Sequence, residues 1–319
     1  MNPQQKFSLL KKNTEEIITE QALLSLLKKK KQPVVYCGYE PSGPLHLGHF
    51  VTITKLMDFV KAGFKVKVLL ADIHAMLNKK GQEKEIEKEV TAWKKTVKAI
   101  GLKCEIVLGS TFQFSKQYQF DIFKLAQQST ISRGLRSMQE IARDIKNATI
   151  SQLIYPLMQV ADIKHLNVDV ALGGIEQRKV HMIGKDLSNI LNHKFIPFHT
   201  PLIASLKGPG EKMSSSQKGS LVSVTDSKQE IQSTIQKAYC PAGQIKENPI
   251  LQISKLIIFP QLNKLEISRH EKFGGDLSYD NYESLESCFS QGKLHPADLK
   301  SAVADALEKI ISPIRKNFK

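Results

Sequence analysis

Residues 34–60 constrain this chain more than any other stretch. Val34-Val35-Tyr36-Cys37 is a short apolar run that reads as a buried strand, and Leu45 to Val60 carries apolar residues at helical spacing until Gly63 closes it. Between them, Gly38-Tyr39-Glu40-Pro41-Ser42-Gly43-Pro44 is turn chemistry. The order strand, turn, helix sets His46 and His49 on the first helical turn with Gly48 between them. Unpaired backbone N–H groups and the positive end of the helix dipole favour an anion there. The imidazoles add donors suited to phosphate oxygens, and Gly48 admits a bulky group close to the backbone. Taken alone, two histidines three apart also suit an ordinary helix start. Zinc fits poorly, because no Cys, Asp or Glu stands nearby at ligand spacing.

The same alternation continues. Lys65 to Ala71 reads as a second strand running into Asp72-Ile73-His74-Ala75. Glu83 to Ile100 is an amphipathic helix with Trp93 as a packing residue, Gly101 stops it, and Cys104 to Leu108 makes a third strand. A β-α-β-α-β order argues an α/β fold: a Rossmann-type parallel sheet with right-handed crossovers and helices on both faces. Ligands of such sheets sit beyond the carboxyl ends of the strands, so Tyr36–Glu40 and Asp72–His74 should border one crevice. His74 suits a pocket wall and a loop position equally well. Val168 to Leu172 reads as a fourth strand, with Gln177 at the following turn facing the same crevice. Thr200 to Leu206 is expected to be a fifth, before a Gly/Ser/Lys-rich loop over Lys207–Lys218. Residues 6–31 read as one or two helices ending in four lysines, and 115–149 as helical with Arg133, Arg136, Arg143 and Lys146. From Asp226 the pattern turns helical, over 227–238, 249–258, 281–290 and 297–311, with a boundary near 220–226.

Ser151 to Asp162 is the most diagnostic helix. Tyr155, Gln159 and Asp162 stand at i, i+4 and i+7 and share one face. Leu153, Ile154, Leu157, Met158 and Val160 around them call for burial. A buried carboxylate needs a partner, so the stripe reads either as a pocket wall converging on a small polar ligand or as the wet side of an amphipathic helix.

The formal charge of +15 attracts polyanions, nucleic acid first among them, and argues against a polycationic partner. With 41% hydrophobic and 24% charged residues the composition is that of a globular chain. No apolar run reaches the roughly 18 residues of a membrane span, so no membrane partner is expected. Met1 to Lys12 has no apolar core of a signal peptide. Cys37, Cys104, Cys240 and Cys288 show no paired spacing, which suits a reducing cytoplasm and no protein-bound metal.

Far from the histidines stands Lys212-Met213-Ser214-Ser215-Ser216. Together, His46-Leu47-Gly48-His49 and Lys212–Ser216 resemble the two signatures of class I aminoacyl-tRNA synthetases. The context Tyr36-Cys37-Gly38-Tyr39-Glu40-Pro41-Ser42-Gly43 resembles the tyrosyl enzymes of archaeal and eukaryotic type, nearly end to end. Tyr39, Pro44 and Gln217, which falls between the serines and Lys218, are modest departures. The resemblance implies a ligase that activates L-tyrosine with ATP, brought as its Mg²⁺ complex, and passes the acyl group to tRNA(Tyr). It implies catalytic roles for His46, His49, Lys212 and Ser215, with Gly38 and Gly48 also binding ATP. Tyrosine would meet Tyr36, Glu40, Tyr155, Gln159, Asp162 and Gln177. tRNA would meet Arg136 at the acceptor end, Arg178 and Lys179, and Phe273, His295, Pro296 and Asp298 at the anticodon. Leu294-His295-Pro296 reads equally as a plain helix start. The implied domains are a catalytic one over 1–222, with an insertion at about 112–166 for homodimer formation and acceptor-stem contacts, and a helical anticodon-binding one over 223–319. The tryptophanyl enzymes, a small-molecule adenylyltransferase and an RNA-binding protein without catalysis are the alternatives.

The charge carries a first prediction: tRNA affinity should fall steeply with salt on a log–log plot, as phosphate contacts release counterions. A flat profile in a filter-binding titration contradicts the basic-surface argument.

Overall fold

The computed structural model describes residues 1–142, 144–209 and 221–318. The chain forms two compact units: one of residues 1–42, 55–94 and 102–201, the other of 43–54, 95–101 and 202–319.

The first unit holds a six-stranded sheet of β1 (Glu16–Ile17), β2 (Val34–Tyr39), β3 (Lys65–Leu70), β4 (Glu105–Leu108), β5 (Val170–Gly174) and β6 (Ile196–Thr200), in the order β1-β6-β5-β2-β3-β4. β2 to β6 are mutually parallel, and only the two-residue β1 runs antiparallel, against β6. The strand order reverses between β2 and β5, which pair directly. The carboxyl ends of those two strands are therefore where a crevice is expected.

Several elements depart from their sequence-based bounds. The amino-terminal segment folds as helices Pro3–Lys11 and Glu20–Lys29 with β1 between them. That short strand exists because Glu15 and Ile18 donate backbone N–H groups to the carbonyls of His199 and Pro197, a pairing no local pattern encodes. β6 covers Ile196–Thr200 and not Thr200–Leu206; Pro197 inside it is a residue that strand patterns exclude, and it survives beside an edge strand. In the 115–149 region, helices Lys116–Gln127 and Ile131–Met138 form, and the described part of 139–149 is non-helical.

Helix Ile150–His165 starts with a capping box from Thr149 and Gln152. Its apolar residues Leu157, Met158, Val160 and Ala161 join Tyr118, Ile122 and Leu125 of the preceding helix and Ile183 of helix Arg178–Asp186 in one core cluster. Ile163 and Leu166 pack with Tyr36, Leu69 and Ala171 on the sheet. Trp93 is buried, its ring centroid 5.2 Å from that of Tyr39.

The second unit is mainly helical. Helices Lys228–Lys237, Pro249–Ile253, Tyr282–Ser290 and Pro296–Asn317 accompany a two-stranded antiparallel ribbon of β7 (Leu265–Ile267) and β8 (Leu277–Tyr279), which the helical reading did not include. β7 alternates buried Leu265 and Ile267 with exposed Glu266, but three residues are too few for that pattern to stand out in the sequence, and β7 packs on the last helix. That helix begins at Pro296, and His295 caps it by accepting the Ala297 N–H at 3.1 Å. Among the described residues no helix is long and apolar enough to cross a membrane.

Gly184 sets how closely helix Arg178–Asp186 approaches its neighbours. A Cβ there would lie 3.0 Å from the Phe195 ring and 3.1 Å from Val160 Cγ2. Gly184→Ala should destabilise the unit by roughly 1–3 kcal/mol, the range for overpacking, read as a lower denaturant midpoint. An unchanged midpoint would mean that Phe195 yields freely.

Candidate active site

Asp162 is wholly buried on helix Ile150–His165. Its Oδ1 accepts from Gln113 Nε2 at 2.8 Å and from the Tyr118 hydroxyl at 2.8 Å. Oδ2 has no hydrogen-bond partner and lies 3.6 Å from His74 Nε2, which is also unpartnered, as is Gln113 Oε1. Two buried polar atoms, Asp162 Oδ2 and His74 Nε2, thus face each other without being satisfied, an arrangement costly to leave and suited to a ligand that both donates and accepts. Burial lifts the Asp162 carboxyl to about 7, and a like charge on Asp72 adds to this, against the hydrogen bonds from Gln113 and Tyr118. Burial drives His74 down to about 3, so its ring is neutral.

Tyr36 comes from β2 and is buried. Burial first, then the charge of Asp162, raises its phenol far above the usual range, so it stays protonated and able to donate. Tyr155, about two turns before Asp162, stands edge-on to His74 at 4.6 Å between ring centroids and hydrogen-bonds Glu40. Glu40, just beyond β2, accepts from Asn78 Nδ2 at 3.0 and 3.2 Å, with Lys80 3.9 Å away. Gln159 donates to Gln177 Oε1 at 3.2 Å. Gln177 ends the turn after β5, and Gly173 makes room for it, since a Cβ there would lie 2.8 Å from Gln177 Cγ. The structure therefore brings Tyr36, Glu40, Tyr155, Gln159, Asp162 and Gln177 together at the carboxyl ends of β2 and β5, and the polar stripe of the helix faces inward.

Gln113, Tyr118, Asn78 and the inward face of His74 are the residues that pattern reading missed or left open. One signal was available: Tyr118, Ile122 and Leu125 share a helical face, so a phenol hydroxyl on that face had to find a buried partner.

The second unit holds the histidines. His46 precedes helix Leu47–Lys61, whose first turn holds Gly48 and His49, so the helix begins two residues later than its spacing suggested. The two rings lie 3.8 Å apart between centroids. His46 Nδ1 accepts the Gly48 N–H at 3.1 Å, and His49 Nδ1 accepts the His46 N–H at 3.4 Å. Both rings therefore carry their proton on Nε2. Burial holds His46 down at about 4, so it is a neutral donor at pH 7. Lys212–Ser216, with Lys212 and Ser215, lie outside the described residues. Just beyond them in sequence, Val222 O accepts from Leu47 N at 3.0 Å and Val224 N donates to Leu45 O at 3.0 Å, tying that flank to the histidine turn.

Among the expected tRNA contacts, Arg136 and Arg178 are exposed, and Phe273 is 62% exposed. Arg178 Nε pairs with Glu16 at 2.9 Å and Lys179 with Glu140 at 2.9 Å. His295 and Pro296 form the start of the last helix, and Asp298 lies in its first turn. Among the described residues no group of three or more His, Cys, Asp or Glu is placed to hold a metal ion.

A doubly wound parallel sheet whose strand reversal borders a polar, partly unsatisfied niche defines an α/β enzyme of small-ligand chemistry. The chain belongs to the class I tRNA synthetases (W and Y), a family that matches residues 28–312. It is 49% identical over 314 residues to the tyrosine–tRNA ligase of Methanocaldococcus jannaschii, covering 98% of this chain and 99% of that one. The tyrosyl-tRNA synthetase of Archaeoglobus fulgidus complexed with L-tyrosine superposes with a TM-score of 0.96 at 46% identity, over 99% of this chain and all of that one. The tryptophanyl-tRNA synthetase of Aeropyrum pernix shares the fold, with a TM-score of 0.73 at 19% identity over 94% of this chain and 81% of that one.

A pH prediction follows from Asp162. Its folded pKa stands above the ordinary 3.8, so the native state holds the proton between about 4 and 7. The group's stabilising contribution is full at the acid end of that window and lost as pH rises through about 7. Asp162→Asn should therefore match the wild type near pH 4 and exceed it by roughly 2–4 kcal/mol above pH 7 in denaturant unfolding. A difference that does not grow with pH contradicts the assigned burial.

Proposed function

We propose that this chain is a tyrosine–tRNA ligase that forms tyrosyl-adenylate from L-tyrosine and ATP and transfers the acyl group to the 3′ end of tRNA(Tyr). The observation that carries the reading is the niche around Asp162: one carboxylate oxygen satisfied from the protein, the other bare, with a protonated Tyr36 phenol and a neutral His74 beside it. A substrate phenol can donate to Asp162 Oδ2 and accept from the Tyr36 hydroxyl. Phenylalanine would bury those groups unpaired, which is the strong form of discrimination. An indole offers a donor and no acceptor, so the same pair favours tyrosine over tryptophan.

In the first step the tyrosine carboxylate attacks the α-phosphorus of ATP, the bond to the β-phosphate bridge breaks, and pyrophosphate leaves. In the second a hydroxyl of the terminal tRNA adenosine attacks the acyl carbon and AMP leaves. No side chain becomes covalent; the protein positions the reactants and stabilises phosphoryl charge. His46 and His49 offer Nε2–H donors to ATP oxygens, Gly38 and Gly48 allow close approach, and Lys212 and Ser215 complete the phosphate contacts. Mg²⁺ enters with ATP and neutralises part of its charge. Glu40, Tyr155, Gln159 and Gln177 hold the amino acid's ammonium and carboxylate. Arg136 grips the acceptor end, Arg178 and Lys179 also contact tRNA, and Phe273, His295, Pro296 and Asp298 read the anticodon, with Phe273 offering a face for an unpaired base.

Residues 1–222 form the catalytic domain in this reading and 223–319 the anticodon-binding domain. The enzyme works as a cytoplasmic homodimer; Phe114, Phe120 and Phe123, 66%, 55% and 61% exposed in the insertion, support a self-association surface there.

Asp162→Ala should abolish tyrosine-dependent ATP–pyrophosphate exchange while the protein remains folded by circular dichroism. Normal exchange by that variant rules out the role given to Asp162.

A further inference from the structure

Behind the niche, a chain of polar groups leads from Gln159 to the molecular surface. Gln159 Nε2 lies 3.4 Å from His181 Nε2, His181 Nδ1 lies 3.0 Å from His199 Nε2, and His199 Nδ1 lies 3.1 Å from Glu16 Oε2. Glu16 in turn accepts from Arg178 Nε at 2.9 and 3.2 Å. Both histidines are wholly buried, and their rings stack at 5.1 Å between centroids; Glu16 and Arg178 reach solvent.

The polarity of this chain has one solution. Burial opposes ionisation of Glu16, but Arg178 and His199 outweigh it and keep the carboxylate below its ordinary range, so Glu16 is an acceptor only. His199 must then donate from Nδ1, which leaves its Nε2 as an acceptor. His181, neutral because burial and the neighbouring imidazole hold it well below its ordinary range, must donate from Nδ1 to His199 and accept on Nε2. Gln159 is left to present its NH₂ group to His181, and its second hydrogen goes to Gln177 Oε1. Both amide hydrogens are then committed, Gln159 also hydrogen-bonds the Tyr36 phenol, and the carbonyl Oε1, with two lone pairs, keeps at least one for the ligand.

We propose that Glu16, acting through His199 and His181, is a positioning residue that holds the Gln159 amide with its carbonyl oxygen toward the ligand, where it accepts from the substrate ammonium. The inference deepens the tyrosine-binding reading and rests on it. β1, a two-residue strand at the sheet edge, thereby acquires a purpose: it places a carboxylate at the outer end of the relay, 183 positions from His199 in sequence. Loss of the charge on Glu16 would let the chain run in the other direction. His181 would then donate to the Gln159 carbonyl, and the amide NH₂ would face the ammonium, two donors in opposition.

The test uses the full-length Glu16→Gln variant, which keeps size and hydrogen-bonding capacity and removes only the fixed polarity. KM for tyrosine in ATP–pyrophosphate exchange should rise roughly tenfold or more, as for the loss of a hydrogen bond to a charged group, with KM for ATP unchanged. Binding of 3-(4-hydroxyphenyl)propionate, which has the phenol and carboxylate but no ammonium, should be the same in both proteins. Nitrogen-15 spectra of labelled histidine should show His181 and His199 as Nδ1–H tautomers in the wild type and as mixtures in the variant. Equal weakening of both ligands, unchanged tyrosine KM, or unaltered tautomers would overturn the relay. A wild-type protein without tyrosine-dependent exchange would instead defeat the ligase reading, and the relay's purpose with it.

Discussion

A carboxylate sealed from water dominates this structure. Asp162 sits wholly buried on a helix whose inward side is mostly apolar beyond its own polar stripe, where a bare charge would be strongly unfavourable. Two donors, from Gln113 just after β4 and from Tyr118 on helix Lys116–Gln127, make it tolerable, and both must arrive at one oxygen. Packing of the helix containing Tyr118 against Ile150–His165 is therefore a condition of the site as well as of the core. The second oxygen is left without a hydrogen-bond partner. In the proposed reading it meets the substrate phenol, and specificity and stability are then set against each other at a single side chain.

The parallel sheet and the gathering of polar side chains at its carboxyl edge were legible because they rest on local patterns: apolar runs, helical spacing, and Gly/Pro punctuation at Gly38–Pro44. The inward stripe of Tyr155, Gln159 and Asp162 was legible for the same reason. What the sequence could not disclose depends on partners remote in the chain. β1 exists by pairing with residues near 198, β6 runs through a proline, and β7 and β8 are three residues each. Gln113 and Tyr118 look like ordinary loop and helix residues until the fold turns them toward Asp162. His295 illustrates the opposite case: a helix cap that local sequence did suggest, and that the Ala297 hydrogen bond accounts for without any ligand.

Neutral imidazoles recur across the chain. Burial strips the charge from His46, His74 and His181, and in each the ring becomes a fixed dipole with one donor and one acceptor nitrogen. The Gly48 N–H fixes the orientation of His46, and the carboxylate of Glu16 fixes that of His181 through His199. Orientation set by the protein before any ligand arrives requires no reorganisation on binding, the general condition for strong electrostatic discrimination. A ring free to exchange tautomers would relax to suit a wrong ligand as readily as the right one.

The central claim is that a half-satisfied buried carboxylate selects a hydroxylated ring. The most direct measurement is ATP–pyrophosphate exchange by the unaltered protein with tyrosine, phenylalanine and tryptophan side by side. Exchange with tyrosine should exceed that with phenylalanine by about 10⁴–10⁵ in kcat/KM, a magnitude taken from tyrosyl synthetases as a class, with tryptophan equally disfavoured. Comparable exchange with phenylalanine or tryptophan would contradict it.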